Sequence, residues 1–150
     1  MRTINEIIVH CSATPEGRDY SAKDIDRWHR ARGWSKIGYH YVIRFNGDIE
    51  IGRTLAEVGA HCQGRNAHSI GVCYIGGLAA DGKTPKDTRT MAQKQALLKL
   101  LRSLKKQFPE AHILGHRDTS PDLNHNGKVD KAEWVKACPS FDAEVEYKDI

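Results

Sequence analysis

The run SIGVCYIGG, Ser69 to Gly77, carries no charged side chain and is rich in β-branched and aromatic residues. A strand of that composition has no face to offer to water, so it belongs in the middle of a sheet with other structure packed around it. The neighbouring segments supply what such a strand needs. EIIVH, Glu6 to His10, is a second apolar strand that runs into the breaker-rich stretch CSATPEG. HYVIRF and DIEI flank Asn46-Gly47, a dipeptide suited to the positive φ angles of a type I′ turn, which predicts a hairpin. HILGH is read as the last strand.

Helices fall between these strands. Ser21 with Asp24 forms a capping-box pattern ahead of Ile25 and Trp28, and Gly33 stops that helix. Thr90 with Gln93 opens a longer one, in which Leu97, Leu100, Leu101, Leu104 and Phe108 recur at helical spacing until Pro109. KAEWVKA is predicted as a short final helix. Strands and helices alternating in this order give an α/β fold, a single domain over residues 1–150 with a mixed central β-sheet flanked by helices.

Composition narrows the function classes. With 150 residues, 39% of them hydrophobic, there is material for one core. The net charge of +4 is spread among interspersed acids and bases, with no basic block, so nucleic acid is not indicated as a partner. No run is long and apolar enough for a membrane span. Arg2 and Glu6 stand where a secretory signal needs an apolar stretch, so synthesis in the cytoplasm without a Sec signal is expected. Cys11, Cys62, Cys73 and Cys138 lack the spacing of a disulfide framework and read as reduced thiols; nothing here sets an oligomeric state.

Three residues far apart in sequence carry the chemistry. His10 and His116 each end a predicted strand, and the carboxyl ends of strands in open α/β sheets form the crevice where ligands bind. Cys138 can join them from a later loop. Two imidazoles and a thiolate suit a tetrahedral Zn²⁺ whose fourth position is left to water, the ligand count of a catalytic site. Strand alternation sends Cys11 to the opposite face from His10, as a small buried hydrophobe.

Around these residues, IIVHCSAT, GYHYVI, GAHCQGRNAHSIGVCYIGG, GHRD and KACPSFD resemble, in order, the signatures of the zinc-dependent N-acetylmuramoyl-L-alanine amidases, the family of phage amidase endolysins and peptidoglycan recognition proteins. The resemblance runs from about residue 6 to residue 142. It implies a peptidoglycan groove over the sheet, zinc on His10, His116 and Cys138, and hydrolysis of the amide between N-acetylmuramic acid and L-alanine. It also places Tyr39 and Lys136 at catalytic positions, and His61 and Asn66 on the groove wall as substrate contacts. Noncatalytic recognition proteins typically lack the cysteine ligand, which is present here. The product would be cell-wall lysis after release or non-Sec export. A noncatalytic module that binds peptidoglycan or muropeptide, and a cytoplasmic amidase that recycles muropeptides, stand as alternatives.

One segment lies outside that resemblance. DLNHNGKVDKAE, within an insertion at about residues 119–133, matches the twelve-residue EF-hand loop. Asp122, Asn124, Asn126, Asp130 and Glu133 would supply side-chain oxygens and Lys128 its carbonyl to Ca²⁺, with Gly127 at the sharp turn.

Overall fold

The computed structural model describes residues 2–150. Its strands are β1 (Glu6–Cys11), β2 (Thr14–Pro15), β3 (Tyr41–Ile43), β4 (Ile49–Ile51), β5 (Ser69–Tyr74), β6 (Gly77–Leu78) and β7 (His112–Gly115). The helices are α1 (Ala22–Ala31), α2 (Met91–Gln107) and α3 (Ala143–Glu146). Five strands form one mixed sheet in the order β4-β3-β5-β1-β7, with only the β3–β4 pair antiparallel. The uncharged run is therefore central: every residue of β5 is buried, between β3 and β1. This is a single-domain mixed α/β fold.

Alternation along the strands sorts the two faces. Ile7, Val9 and Cys11 of β1 join Ile70, Val72 and Tyr74 of β5 on one face, and the α2 leucines Leu97, Leu100, Leu101 and Leu104 cover them. Truncating a fully buried leucine such as Leu101 to alanine would cost about 2–5 kcal/mol. On the other face Val42 and Cys73 pack with Ile25 of α1. Ile8, Cys62 and Leu114 form a smaller cluster. His10 lies between Val9 and Cys11 and so points to the α1 side.

Both predicted capping boxes are formed, at Ser21 with Asp24 and at Thr90 with Gln93. Gln93 does more than cap. Its buried side chain donates to the carbonyls of Ile43 (3.2 Å) and Ile75 (3.0 Å) while accepting from Thr90 N, tying the start of α2 to the ends of β3 and β5.

The structure corrects three local expectations. The β3–β4 turn has positive φ at Gly47 (+89°) but not at Asn46, and Gly47 N donates to Arg44 O, with Arg44 N donating to Asp48 O. That is a three-residue loop ending in a left-handed glycine, not a type I′ turn. KAEWVKA is not a helix: a single 3₁₀ turn covers Lys131–Glu133 and the chain then leaves helical geometry at Trp134. Tertiary contacts win there, because Trp134 lies under the Arg117 guanidinium (4.0 Å) and Val135 N donates to Ser120 Oγ (3.0 Å). The last helix is instead α3, capped by Asp142, whose side chain accepts from Val145 N.

Candidate active site

His10 comes from the end of β1, next to β5, where its Cα partner is Cys73. His116 follows β7 directly, in a 3₁₀ turn over His116–Thr119. Since β1 and β7 pair in parallel, their carboxyl ends emerge side by side, and the two rings stand 4.6 Å apart between centroids. Cys138 arrives from the loop before α3, and its Sγ accepts a hydrogen bond from Cys11 N at 3.1 Å. One donor atom from each of His10, His116 and Cys138 lies within 4.8 Å of the others. Among the described residues this is the only such cluster of three or more His, Cys, Asp or Glu side chains.

The electrostatics fit metal ligation. Burial, then the neighbouring His61, His116 and Lys136, holds His10 well below the usual histidine range. Burial and Lys136 bring His116 down to about 4. Both rings are thus neutral near pH 7 with lone pairs to give. Burial pushes the Cys138 thiol well up, so it stays protonated unless a cation displaces the proton. At ordinary Zn–N and Zn–S lengths, a tetrahedral site sets such donors about 3.3–3.6 Å apart, so donors lying within 4.8 Å of one another would draw in by up to about 1.2–1.5 Å on binding Zn²⁺.

Tyr39, just ahead of β3, places its ring 5.1 Å from that of His10. Burial, followed by the nearby Cys73, Cys138 and Cys11, raises its pKa well above the ordinary phenol value. At neutral pH Tyr39 therefore keeps its proton, so its hydroxyl is able to donate a hydrogen bond. Lys136 is exposed and has no carboxylate within 4 Å among the described residues, yet its charge reaches both histidines. Tyr39, Lys136, His116 and Cys138 line one inner cleft of about 180 Å³. It adjoins an outer groove of about 600 Å³ lined by Trp34, His61, Asn66, Thr119, Val135 and Lys136, among others.

His61 and Asn66 are thus on the groove wall, but much of their polarity is spoken for. His61 Nδ1 lies 2.8 Å from His10 Nε2, and its Nε2 lies 3.2 Å from Ser69 Oγ. Asn66 Oδ1 accepts from His61 N and Cys62 N, both at 2.9 Å, which leaves its side-chain NH₂ uncommitted by these two bonds. Sequence reasoning missed the contacts of His61 with His10 and Ser69, and the Cys11 amide that supports Cys138. A signal for the first existed in Gly71: glycine in a strand marks close approach, and a Cβ there would come within 2.6 Å of the His61 ring, as would one at Gly59 in the preceding loop.

In the loop at 122–133, Asp122 accepts from Asn126 N and Gly127 N, while Glu133 accepts from Asn124 N and Asp130 N. The Nδ2 groups of Asn124 and Asn126 both donate to Asp130. The three carboxylates do not gather as the zinc-type donors do.

In comparison with known proteins, residues 1–139 match the family described as N-acetylmuramoyl-L-alanine amidase. The chain belongs to that amidase family. The endolysin of Klebsiella phage KP32 is 42% identical over 138 residues, which span 92% of this chain and 82% of the relative. The endolysin of Escherichia phage T7 is 38% identical over 136 residues, 91% and 80% of the two chains. Among solved structures, the endolysin N-acetylmuramoyl-L-alanine amidase LysCS from Clostridium intestinale superposes with a TM-score of 0.72 at 27% identity, covering 97% of this chain and 80% of that one. Bumblebee PGRP-SA shares the fold, with a TM-score of 0.73 at 21% identity over 99% of this chain and 83% of that one. No helix among the described residues is long and apolar enough to cross a membrane.

Proposed function

We propose that this amidase-family protein uses Zn²⁺ on His10, His116 and Cys138 to hydrolyse the amide between the lactyl group of N-acetylmuramic acid and the L-alanine of the stem peptide. The observation that carries this reading is the convergence of the imidazoles of His10 and His116 and the Cys138 thiol within 4.8 Å, beside a cleft lined by His116, Cys138, Tyr39 and Lys136. Bound there, zinc would supply Lewis acidity, making water nucleophilic at neutral pH and polarising the scissile carbonyl.

The remaining chemistry falls to the chain. As water adds, negative charge grows on the carbonyl oxygen, and the Lys136 ammonium, unpaired and at the rim of the cleft, stabilises that charge most where it is greatest. Tyr39 keeps its proton and orients the attacking water through its hydroxyl. The outer groove would seat the glycan and stem peptide, with the Asn66 amide donating to the substrate. The products are a muramyl carboxyl group and a free L-alanine amine. The place of action is the cell wall, reached after release from the producing cell. Elemental analysis should find one zinc per active chain, and chelation should abolish activity that added Zn²⁺ restores; active protein without stoichiometric zinc overturns the reading.

Calcium at the second loop is a separate proposal, supported by the residue types at all six ligating positions and by Glu133. Glu133 as a residue is only 7% exposed, and among the described residues its carboxylate has no cationic side chain within 4 Å. Because Glu133 precedes Lys136 by three residues, Ca²⁺ would brace the irregular segment that carries Lys136 and Cys138.

A further inference from the structure

We propose that His61, backed by Ser69, is a positioning residue that holds the His10 ring with Nδ1 facing the metal position; this rests on the zinc reading above. The contact between His10 Nε2 and His61 Nδ1, at 2.8 Å, is buried, and the two rings meet edge-on at 90°. Two imidazole nitrogens at that distance share one proton, so one ring donates and the other accepts. With Nε2 engaged by His61, Nδ1 is the His10 nitrogen left for a metal. A neutral histidine that gives Nδ1 to a metal carries its proton on Nε2. His10 is then the donor, His61 Nδ1 the acceptor, and the His61 proton sits on Nε2, where the fully buried Ser69 hydroxyl can accept it at 3.2 Å. Every polar atom on this path is satisfied, and no charge is buried.

The surroundings leave the His61 ring little freedom. Its backbone N–H is held by Asn66 Oδ1, and Gly59 and Gly71 form the floor against which the ring lies. The partner is also neutral. Metal-bound histidines often lean on a carboxylate, which makes the ligand more basic and adds negative charge. A second imidazole orients His10 without that added charge, so a zinc ion held by two neutral rings and one thiolate keeps more of its Lewis acidity. Engagement of both ring nitrogens also makes His61 a poor polar contact for substrate.

The test compares the full-length wild-type chain with His61→Leu, His61→Asn and Ser69→Ala, using Zn²⁺ affinity by chelator competition and NMR of the ring nitrogens. His61→Leu should weaken zinc about 10–100-fold. His61→Asn, whose Oδ1 can stand in for Nδ1, should stay close to wild type, and Ser69→Ala should fall between them. In zinc-loaded wild type, a slowly exchanging imidazole proton on His10 Nε2 should show nitrogen–nitrogen coupling to His61 Nδ1. That spectrum decides the matter even if His61→Leu fails to fold. Zinc binding in a folded His61→Leu as tight as wild type, or a wild-type spectrum with the His10 proton on Nδ1, overturns the proposal. Wild-type protein that binds no zinc overturns the underlying metal reading instead.

Discussion

Gly71→Ala tests how tightly the second layer of the site is built into the sheet. Gly71 lies in the central strand β5 and is not among the glycines with positive φ, so alanine meets no backbone strain there. The new Cβ would lie 2.6 Å from His61 Cγ and Cδ2 and 2.9 Å from Nδ1. Relief to an ordinary 3.4 Å contact requires a ring displacement of about 0.8 Å. A movement of that size away from the strand stretches the 2.8 Å bond to His10 and the 3.2 Å bond to Ser69 to or past the limit of a hydrogen bond. Overpacking costs about 1–3 kcal/mol and a lost buried hydrogen bond about 1 kcal/mol more. The smaller entropy of the unfolded alanine chain returns about 0.4–1 kcal/mol. The net loss is about 1–3.5 kcal/mol, or roughly 2–14 °C in melting temperature for a chain of this size. Thermal unfolding of the metal-free protein measures it, and zinc affinity should fall alongside. In a His61→Ala background the obstacle is gone, so the same substitution should cost under about 1 kcal/mol, and the double-mutant cycle should show the difference as coupling. Equal costs in the two backgrounds, or an unchanged melting temperature for Gly71→Ala alone, would refute the reasoning.

Other expectations follow from the same geometry. Lys136→Ala and Tyr39→Phe should keep zinc and fold but lose turnover; for Lys136→Ala, kcat on muropeptide should drop about a hundredfold or more, and a near-normal kcat would remove its assigned role. Millimolar Ca²⁺ should raise the melting temperature of the zinc-loaded protein, and Glu133→Gln should cancel the shift; calorimetry that detects no Ca²⁺ binding would reduce the loop to a turn. His29 accepts from Gly38 N at 2.9 Å, and burial, then Arg32, brings its pKa from 6.5 to about 4. Because the folded value is the lower one, its contribution to stability is full above pH 6.5 and is lost as pH falls toward about 4. Stability of the metal-free protein should decline less steeply through that window in His29→Gln than in wild type, and parallel curves would contradict the assignment.

What the sequence revealed depended on how local the cause was. The two capping boxes, the leucine stripe of α2 and the buried β5 follow from side-chain pattern alone, and alternation placed His10 and Cys11 on opposite faces. The convergence of His10 and His116 was legible because each stands at the end of a strand, and Cys138 joins them from a loop. The segment from Trp134 to Ala137 was misread, since its helical pattern gives way to the Arg117–Trp134 stack and the Ser120 hydroxyl, contacts with residues well before it in sequence. β2 and β6, two residues each, are too short for any periodicity to show. The joint use of His10, His61 and Ser69 could not be read because it depends on where residues 51 and 59 positions from His10 come to rest.

The central claim concerns which bond is cut, and mass spectrometry of purified peptidoglycan or a defined muropeptide digested by the zinc-loaded protein tests it most directly. The account predicts stem peptides with a free L-alanine amine and glycan whose lactyl carboxyl groups are bare, with no new reducing ends. New reducing sugar ends, cleavage within the stem peptide, or tight binding of muropeptide without turnover by the zinc-loaded chain would contradict it.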